Sequence, residues 1–306
     1  MPAIAALLCA GLLGCPTSTR PLSRDANAFS AATILVVNGA SDAYRTANEL
    51  HDTAELSIAA VEYDRKPAWN PNDYVKPLLT QEQLDARIRI LRGLKSYAET
   101  VADLAGGGKE KPLNDAAAQV GNNLQDLSNN IPEALSTSIP GAGPISDTTR
   151  NVVSTALVAL GRFLQERKVA GSLPQVIADN DKNVSELCKY LDSDITILRR
   201  QANVDYGRVM TAQDQYIRHE GKDMTAAERR AEIQKLPEFV LEQRRNDELL
   251  AKLQRTIQKL AETHHAFATA AQLHNPESLH QYILDLSAEG QSLADYYQSL
   301  SRHRSK

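Results

Sequence analysis

Apolar residues recur every three or four positions over long stretches of this chain. One such stripe averages 3.6 residues per step, the period of a straight α-helix, and consists of Val184, Leu187, Leu191, Ile195, Leu198 and Ala202. Its helix is predicted to open at Ser172 and Pro174 and to reach about His219, a length of about 70 Å. A helix this long extends beyond any compact globule, so it needs neighbours of similar length.

A second stripe alternates steps of three and four, the 3.5-residue period of coiled coils. Its members are Leu250, Leu253, Ile257, Leu260, His264, Phe267 and Ala271. After Asn275 and Pro276, a last helix repeats this period with Leu279, Ile283, Leu286, Leu293, Tyr297 and Leu300. The short connection predicts an antiparallel hairpin. His264 lies on the seam, where a polar residue typically fixes the register.

The remaining helices are predicted from stripes, caps and breakers. A capping box, Thr80 with Gln83, starts one helix; Thr225 with Glu228 caps a short helix, and Pro237 begins a longer one that reaches Leu273. Further helices are expected over 25–63, 113–130 and 147–168. The predicted fold is all-α, an elongated bundle of about six to eight helices over 25–306, with long antiparallel coiled-coil-like helices and with 25–168 and 172–306 as candidate sub-bundles.

Composition agrees with a helical core and excludes one class of partner. Aromatic residues make up only 5% of the 306 residues, so aliphatic side chains must supply most of the core. The formal net charge is −4 and the sequence pI is about 6.0, which provides no overall basic field to attract phosphate backbones. Nucleic acid is therefore not expected as a partner.

The N-terminus has the pattern of a secretory leader. Ala3 to Gly14 is an apolar run that is too short to cross a bilayer as a helix. The run ends in Leu12-Leu13-Gly14-Cys15, which resembles the lipobox of bacterial lipoproteins. The resemblance implies a signal peptide over 1–14, a diacylated Cys15 that carries palmitate or a similar chain, and a lipidated tether over 15–24. It also implies the cell envelope, anchored in the outer membrane and facing the periplasm.

The sequence lacks the common signatures of enzyme active sites. Gly106-Gly107-Gly108-Lys109 has neither the upstream glycine nor the Ser or Thr of a Walker loop. No Gly-x-Ser-x-Gly elbow occurs, and His219-Glu220 is followed by Asp223 where a zinc protease has its second histidine. Neither an enzymatic activity nor a cofactor is therefore expected.

Two short motifs match a metal-binding pattern of helical bundles. Glu262 with His265, and Glu277 with His280, have the Glu-x-x-His spacing that di-iron bundles use twice. With His264 on the predicted seam, Glu262 and His265 fall on the outer face, and the other pair flanks its seam. These four residues are weak metal candidates, and no metal site is predicted.

Three functions fit these features. The leading hypothesis is a membrane-tethered, non-enzymatic helical scaffold or protein-interaction module of the cell envelope, with an envelope protein or another copy as its partner. The first alternative is a membrane-active, pore-forming-like protein in which the hairpin over 116–163 opens and inserts. The second is a small-ligand-binding envelope sensor with its pocket near Trp69 and Tyr74.

Overall fold

The computed structural model describes residues 20–63, 70–74, 76–106, 115–131, 135, 145–166, 173–273 and 277–304. Within these ranges the chain forms seven α-helices and a short 3-10 helix at Pro71–Asp73, without any strand. The α-helices are α1 (Arg20–Tyr63), α2 (Gln81–Ala105), α3 (Asp115–Asn129), α4 (Asp147–Gln165), α5 (Leu173–Glu220), α6 (Ala226–Leu273) and α7 (Glu277–Arg304). The prediction of an all-α bundle is confirmed.

Helices α5 and α6 form an antiparallel hairpin of great length. Each has 48 residues, or about 72 Å. Near the turn, Gln213 Nε2 donates to Glu232 Oε2 over 2.8 Å. At the far end, His265 Nδ1 lies 2.7 Å from Asp181 Oδ2. The two helices therefore stay paired along their full length.

Helices α1, α5, α6 and α7 form a four-helix ring, in which α1 and α6 each contact both α5 and α7. On α1, Gly39 lies against Leu293 of α7. On α6, Thr263 Oγ1 donates to the backbone oxygen of Tyr282, near the start of α7. Helix α2 packs on α1, and the hairpin of α3 and α4 packs on α2 and α5.

Both predicted apolar stripes are buried. Every member of the stripe from Val184 to Ala202, and of the stripe from Leu250 to Ala271, is at most 3% exposed. The two stripes join side chains from all seven helices in one hydrophobic core. Burying a Leu or Ile contributes about 1.5–3 kcal/mol, so this core is the main source of stability. The division into the candidate sub-bundles 25–168 and 172–306 stays a prediction.

The two predicted capping boxes are present. Thr80 Oγ1 accepts from the Gln83 backbone N–H over 3.3 Å, and Gln83 Oε1 accepts from the Thr80 N–H over 3.0 Å. Thr225 and Glu228 exchange the same pair of bonds. Each box satisfies two backbone donors that a helix start leaves free.

The chain after Thr225 is one helix, so the prediction of a short helix followed by another from Pro237 was wrong. Helix α6 continues through Pro237, although a proline inside a helix removes one backbone hydrogen bond. Pro237 and Ile233 are both exposed, so water can satisfy the freed carbonyl of Ile233. Contacts of α6 with α5 on both sides of the proline hold the helix in place.

Helix α1 begins at Arg20, so residues 20–24, which are part of the predicted tether, belong to the first helix. Pro21 permits this because proline is tolerated in the first turn of a helix. Leu22 is partly buried against the core, which favours the extra turn. Residues 1–19, with the predicted signal peptide and Cys15, lie outside the described residues.

Two glycines set the closest approach of α3 to α4. A Cβ at Gly121 would lie 2.7 Å from the Gly161 carbonyl oxygen, and a Cβ at Gly161 would lie 2.9 Å from the Gly121 oxygen. Both distances are far below a normal van der Waals contact, and the obstacle in each case is backbone. The two helices can therefore cross this closely only with glycine at both positions.

We expect Gly121→Ala to destabilise the protein by about 1–3 kcal/mol through overpacking, although alanine is the better helix former. Gly207→Ala on α5 is the matched control, because nothing lies within 4 Å of its Cβ position. That variant should gain about 0.5–1 kcal/mol. Urea unfolding followed by circular dichroism measures both changes, and a stabilised Gly121→Ala variant would contradict the close crossing.

Candidate interaction surface

Among the described helices, three continue beyond the ends of α2 and α7 and form what we call the arm: residues 51–63 of α1, 204–220 of α5 and 226–241 of α6. At its base, Asn48 of α1 exchanges two hydrogen bonds with the backbone of Leu79, just before α2 begins. The arm is about 20–25 Å long at 1.5 Å per residue. Its buried side chains lie outside the main hydrophobic core.

Most of the large apolar side chains that the described structure exposes are on the arm. Six of nine belong to it, namely Leu56, Tyr63, Val204, Tyr216, Ile233 and Leu241, with exposures of 44–60%. None of the residues 226–241 is buried. Apolar surface concentrated in one region is typical of a site that binds another molecule.

A groove of about 900 Å³ opens between the arm segments of α1 and α6, above α5. Its walls include Val61 of α1, Val209 and Ala212 of α5, and Met224 and Phe239 beside the α5–α6 turn and on α6. The lining also includes polar side chains, among them Gln213, Gln215 and His219. Four lining residues are acidic, namely Glu220, Asp223, Glu228 and Glu232, and none of the described lining residues is Lys or Arg. The groove therefore has an apolar floor and an acidic rim.

A charged layer ties α1 to α5 at the base of the arm. His51 Nδ1 lies 3.0 Å from Asp205 Oδ2, and Arg208 pairs with Glu55 and with Asp205. His51 and Asp205 are buried. The hydrogen bond to Asp205 raises the pKa of His51 above its ordinary value, and it outweighs burial, which favours the neutral ring.

A buried ion pair lies deeper in the bundle. Arg87 of α2, which is fully buried, forms a bidentate contact with Asp194 of α5, at 2.7 and 3.0 Å. Asp194 also accepts from Tyr44 Oη of α1 over 2.7 Å, and Arg87 donates to the backbone oxygen of Gln83. The paired and hydrogen-bonded charges fix three helices relative to one another.

A third polar cluster surrounds His264 at the far end of α5. Its Nδ1 lies 3.0 Å from Asp181 Oδ1, and its Nε2 lies 2.8 Å from Tyr97 Oη. Asp181 can only accept, so Nδ1 carries the proton and Tyr97 donates to Nε2. Burial lowers the pKa of His264. The ring is fully buried, and its two hydrogen bonds join α6 to α5 and α2.

Three of the four weak metal candidates have side chains that the structure describes. Glu262 is exposed and pairs with Lys259, whereas His265 is bound to Asp181. His280 is exposed and lies 3.2 Å from Arg24 Nη2, and the side chain of Glu277 lies outside the described ones. Among the side chains that are described, no three His, Cys, Asp or Glu residues form a group that could hold a metal ion.

The predicted ligand-binding and membrane-active segments are described in part. Trp69 lies outside the described residues, while Tyr74 donates its hydroxyl to Glu62 Oε2 over 2.7 Å and is absent from the lining of the groove. Across the described ranges, no helix has an apolar stretch of the length and hydropathy that a bilayer crossing requires. Ligand binding near Tyr74 and insertion of 116–163 stay predictions.

The chain matches no known protein family, no curated protein and no solved structure. Its function therefore has to be argued from the residues and their geometry. The arm is the region where that geometry departs most from a closed helical bundle.

We expect His51→Gln to destabilise the protein by about 1.5–3 kcal/mol in acid, where the histidine is charged and bonded to Asp205. Because its pKa is raised on folding, its contribution is complete below pH about 6.5 and is lost as the pH rises through the folded-state pKa. Urea unfolding of His51→Gln and wild type at pH about 5 and about 8.5 should show a smaller difference at the higher pH.

The exposed His219 provides the control for this measurement. His219→Gln should change stability by less than about 0.5 kcal/mol at either pH. An effect of His51→Gln that stays constant or grows with pH would show that the ring is not held as a cation by Asp205.

Proposed function

We propose that this protein is a lipid-tethered, non-enzymatic scaffold of the bacterial cell envelope, and that its arm docks another protein. The concentration of exposed apolar side chains on the arm carries this proposal. Outside the arm, the bundle buries its apolar stripes, so it exposes little apolar surface to a partner. Arg87 and His264 are hydrogen-bonded to side chains of neighbouring helices, which suits a structural role better than catalysis.

The position of the arm fits a tether on Cys15. Helix α1 begins at Arg20, five positions after Cys15, and its far end reaches the arm. Residue 57 of α1 lies about 55 Å along the helix from Arg20. A lipid on Cys15 would hold the bundle near the first turn of α1 and direct the arm away from the membrane, toward partners in the periplasm.

The tether makes a prediction of its own. The N-terminal peptide of the protein purified from bacterial membranes should begin at Cys15 and carry the mass of a diacylglyceryl group, with or without a third acyl chain. Cys15→Ser should abolish this mass and leave the fold unchanged in circular dichroism. An unmodified peptide that begins before Cys15 would refute the lipid anchor.

The docking role can be tested by photo-cross-linking in cells. Tyr216 on the arm and Tyr282 on α7 have similar exposures, 44% and 38%, so benzoylphenylalanine at each position makes a matched pair. We expect an envelope protein to be captured from position 216 and recovered at least about tenfold less from position 282. Equal capture from both positions, or from position 282 alone, would refute docking on the arm.

A further inference from the structure

The groove of the arm continues the groove between α1 and α6 that α7 fills in the rest of the bundle, which we call the body. There, α7 fills the corner of the four-helix ring between α1 and α6, where Leu293 contacts Gly39 and Lys252 bonds to Ser292. Helix α7 ends at Arg304. Helices α6 and α7 run antiparallel, with Lys252 opposite Ser292 and Thr263 opposite Tyr282. Counted from these two contacts, Arg304 lies about level with Leu241, at the base of the arm.

The walls of the groove are formed by the same faces of α1 and α6 that contact or surround α7 in the body. On α1, Ser57 follows Gly39 by five full helical turns, so both residues point in the same direction. On α6, Phe239 and Glu232 precede the buried Leu253 by two and three whole heptads. In the described structure, the arm is therefore a four-helix ring with its fourth corner open.

The size and the lining of the open corner favour a helix as the bound segment. Helices pack with their axes about 8–10 Å apart, closest where the residues between them are small. Ser57, Ala60 and Ala212 are small residues in the lining, and Val209 and Phe239 supply apolar contact. An extended peptide would leave backbone donors unpaired against this floor, because helices offer no free edge to bond to.

The charge of the rim determines which charge a bound segment should carry. Hydrogen bonds from Thr225 lower the pKa of Glu228, and those from Lys235 and Gln213 lower the pKa of Glu232, so both carboxylates are charged at neutral pH. Lys235 neutralises Glu232 in part. Glu220 and Asp223 add two more acids at the turn. Lys222, Arg229 and Arg230 line the adjoining surface at the turn, whereas the groove itself is lined by the four carboxylates, which attract Lys and Arg.

We propose that the groove takes an amphipathic helix of a partner protein, with an apolar face against the floor and Lys or Arg residues along its flanks. The helix completes the four-helix ring in the arm, as α7 completes it in the body. This inference rests on the proposed docking function and adds the structure and charge of the docked segment.

The test uses two labelled helical peptides of about 18 residues, roughly five turns, with Leu and Ala on one face and either Lys or Glu on the flanks. The natively processed protein is held in phosphatidylcholine nanodiscs, and fluorescence anisotropy gives the Kd after subtraction of empty nanodiscs. We expect the Lys peptide to bind at least about tenfold more tightly than the Glu peptide. Added salt should weaken this binding, because the rim is exposed and its charges are screened.

Matched variants locate the binding. Glu220→Lys with Asp223→Lys should weaken the Lys peptide about tenfold or more. Asp103→Lys with Asp126→Lys changes the net charge equally on exposed residues far from the groove and should weaken it less than about twofold. Ala60→Trp should block the groove from an exposed position without disturbing the core.

Three results would overturn the inference: equal binding of both peptides, equal effects of the two double variants, or binding that Ala60→Trp leaves intact. Phosphatidylglycerol vesicles that bind in a manner abolished by Ala60→Trp would assign the groove to a membrane instead. Dimerisation abolished by the same variant would assign it to a second copy, whose α7 ends in Arg302 and Arg304.

Failure of the inference is distinguishable from failure of the proposed function. Capture of a partner from position 216 without binding of the Lys peptide would keep docking on the arm and refute the cationic helix. Binding of the Lys peptide by natively processed protein whose N-terminal peptide is unmodified and begins before Cys15 would keep the groove assignment and refute the tether.

Discussion

The length of α5 is the constraint on which the rest of the structure depends. A helix of 48 residues with a continuous apolar stripe must be covered over about 72 Å. Helix α6 does this on one side along the whole length, whereas α1, α2 and α4 each cover part of another. Because α2 and α7 are shorter, α1 and α6 are the helices that cover the last part of α5 in the described ranges. The open groove of the arm is a direct consequence of this difference in length.

Three carboxylates of α5 determine how its neighbours are aligned. Asp181 binds His264 of α6, Asp194 binds Arg87 of α2, and Asp205 binds His51 of α1. Long helices with similar apolar stripes can slide by one turn at small cost, because Leu or Ala then replaces Leu or Ala. A shift by one turn would separate each of these pairs, and loss of one partner of the buried Arg87–Asp194 ion pair alone costs about 3–5 kcal/mol. Apolar burial thus stabilises the bundle, and the polar pairs select one alignment.

The helices could be predicted from the sequence because their information is local. The stripes, the capping boxes at Thr80 and Thr225, and the antiparallel hairpin depend on residues within a few turns of each other. The helix start predicted at Pro237 was wrong because contacts with α5, which lie outside the segment, offset the free-energy cost of a proline inside a helix. The polar pairs join residues 83–154 positions apart, so the local sequence does not indicate which residues pair. The one sequence signal is a charged residue beside an apolar stripe. The arm was missed because the stripes give no sign of where neighbouring helices end.

The arm also explains why an acidic residue interrupts the seam of α6 near its start. In the body this seam holds Leu253, Leu260 and Phe267, and its heptad continuation in the arm includes Glu232. A fully apolar continuation would expose a long hydrophobic strip and favour aggregation. A fully polar one would offer no surface for a fourth helix. The mixture of Phe239 and Val61 with a charged rim keeps the open corner hydrated and discriminates by charge among the helices that could fill it.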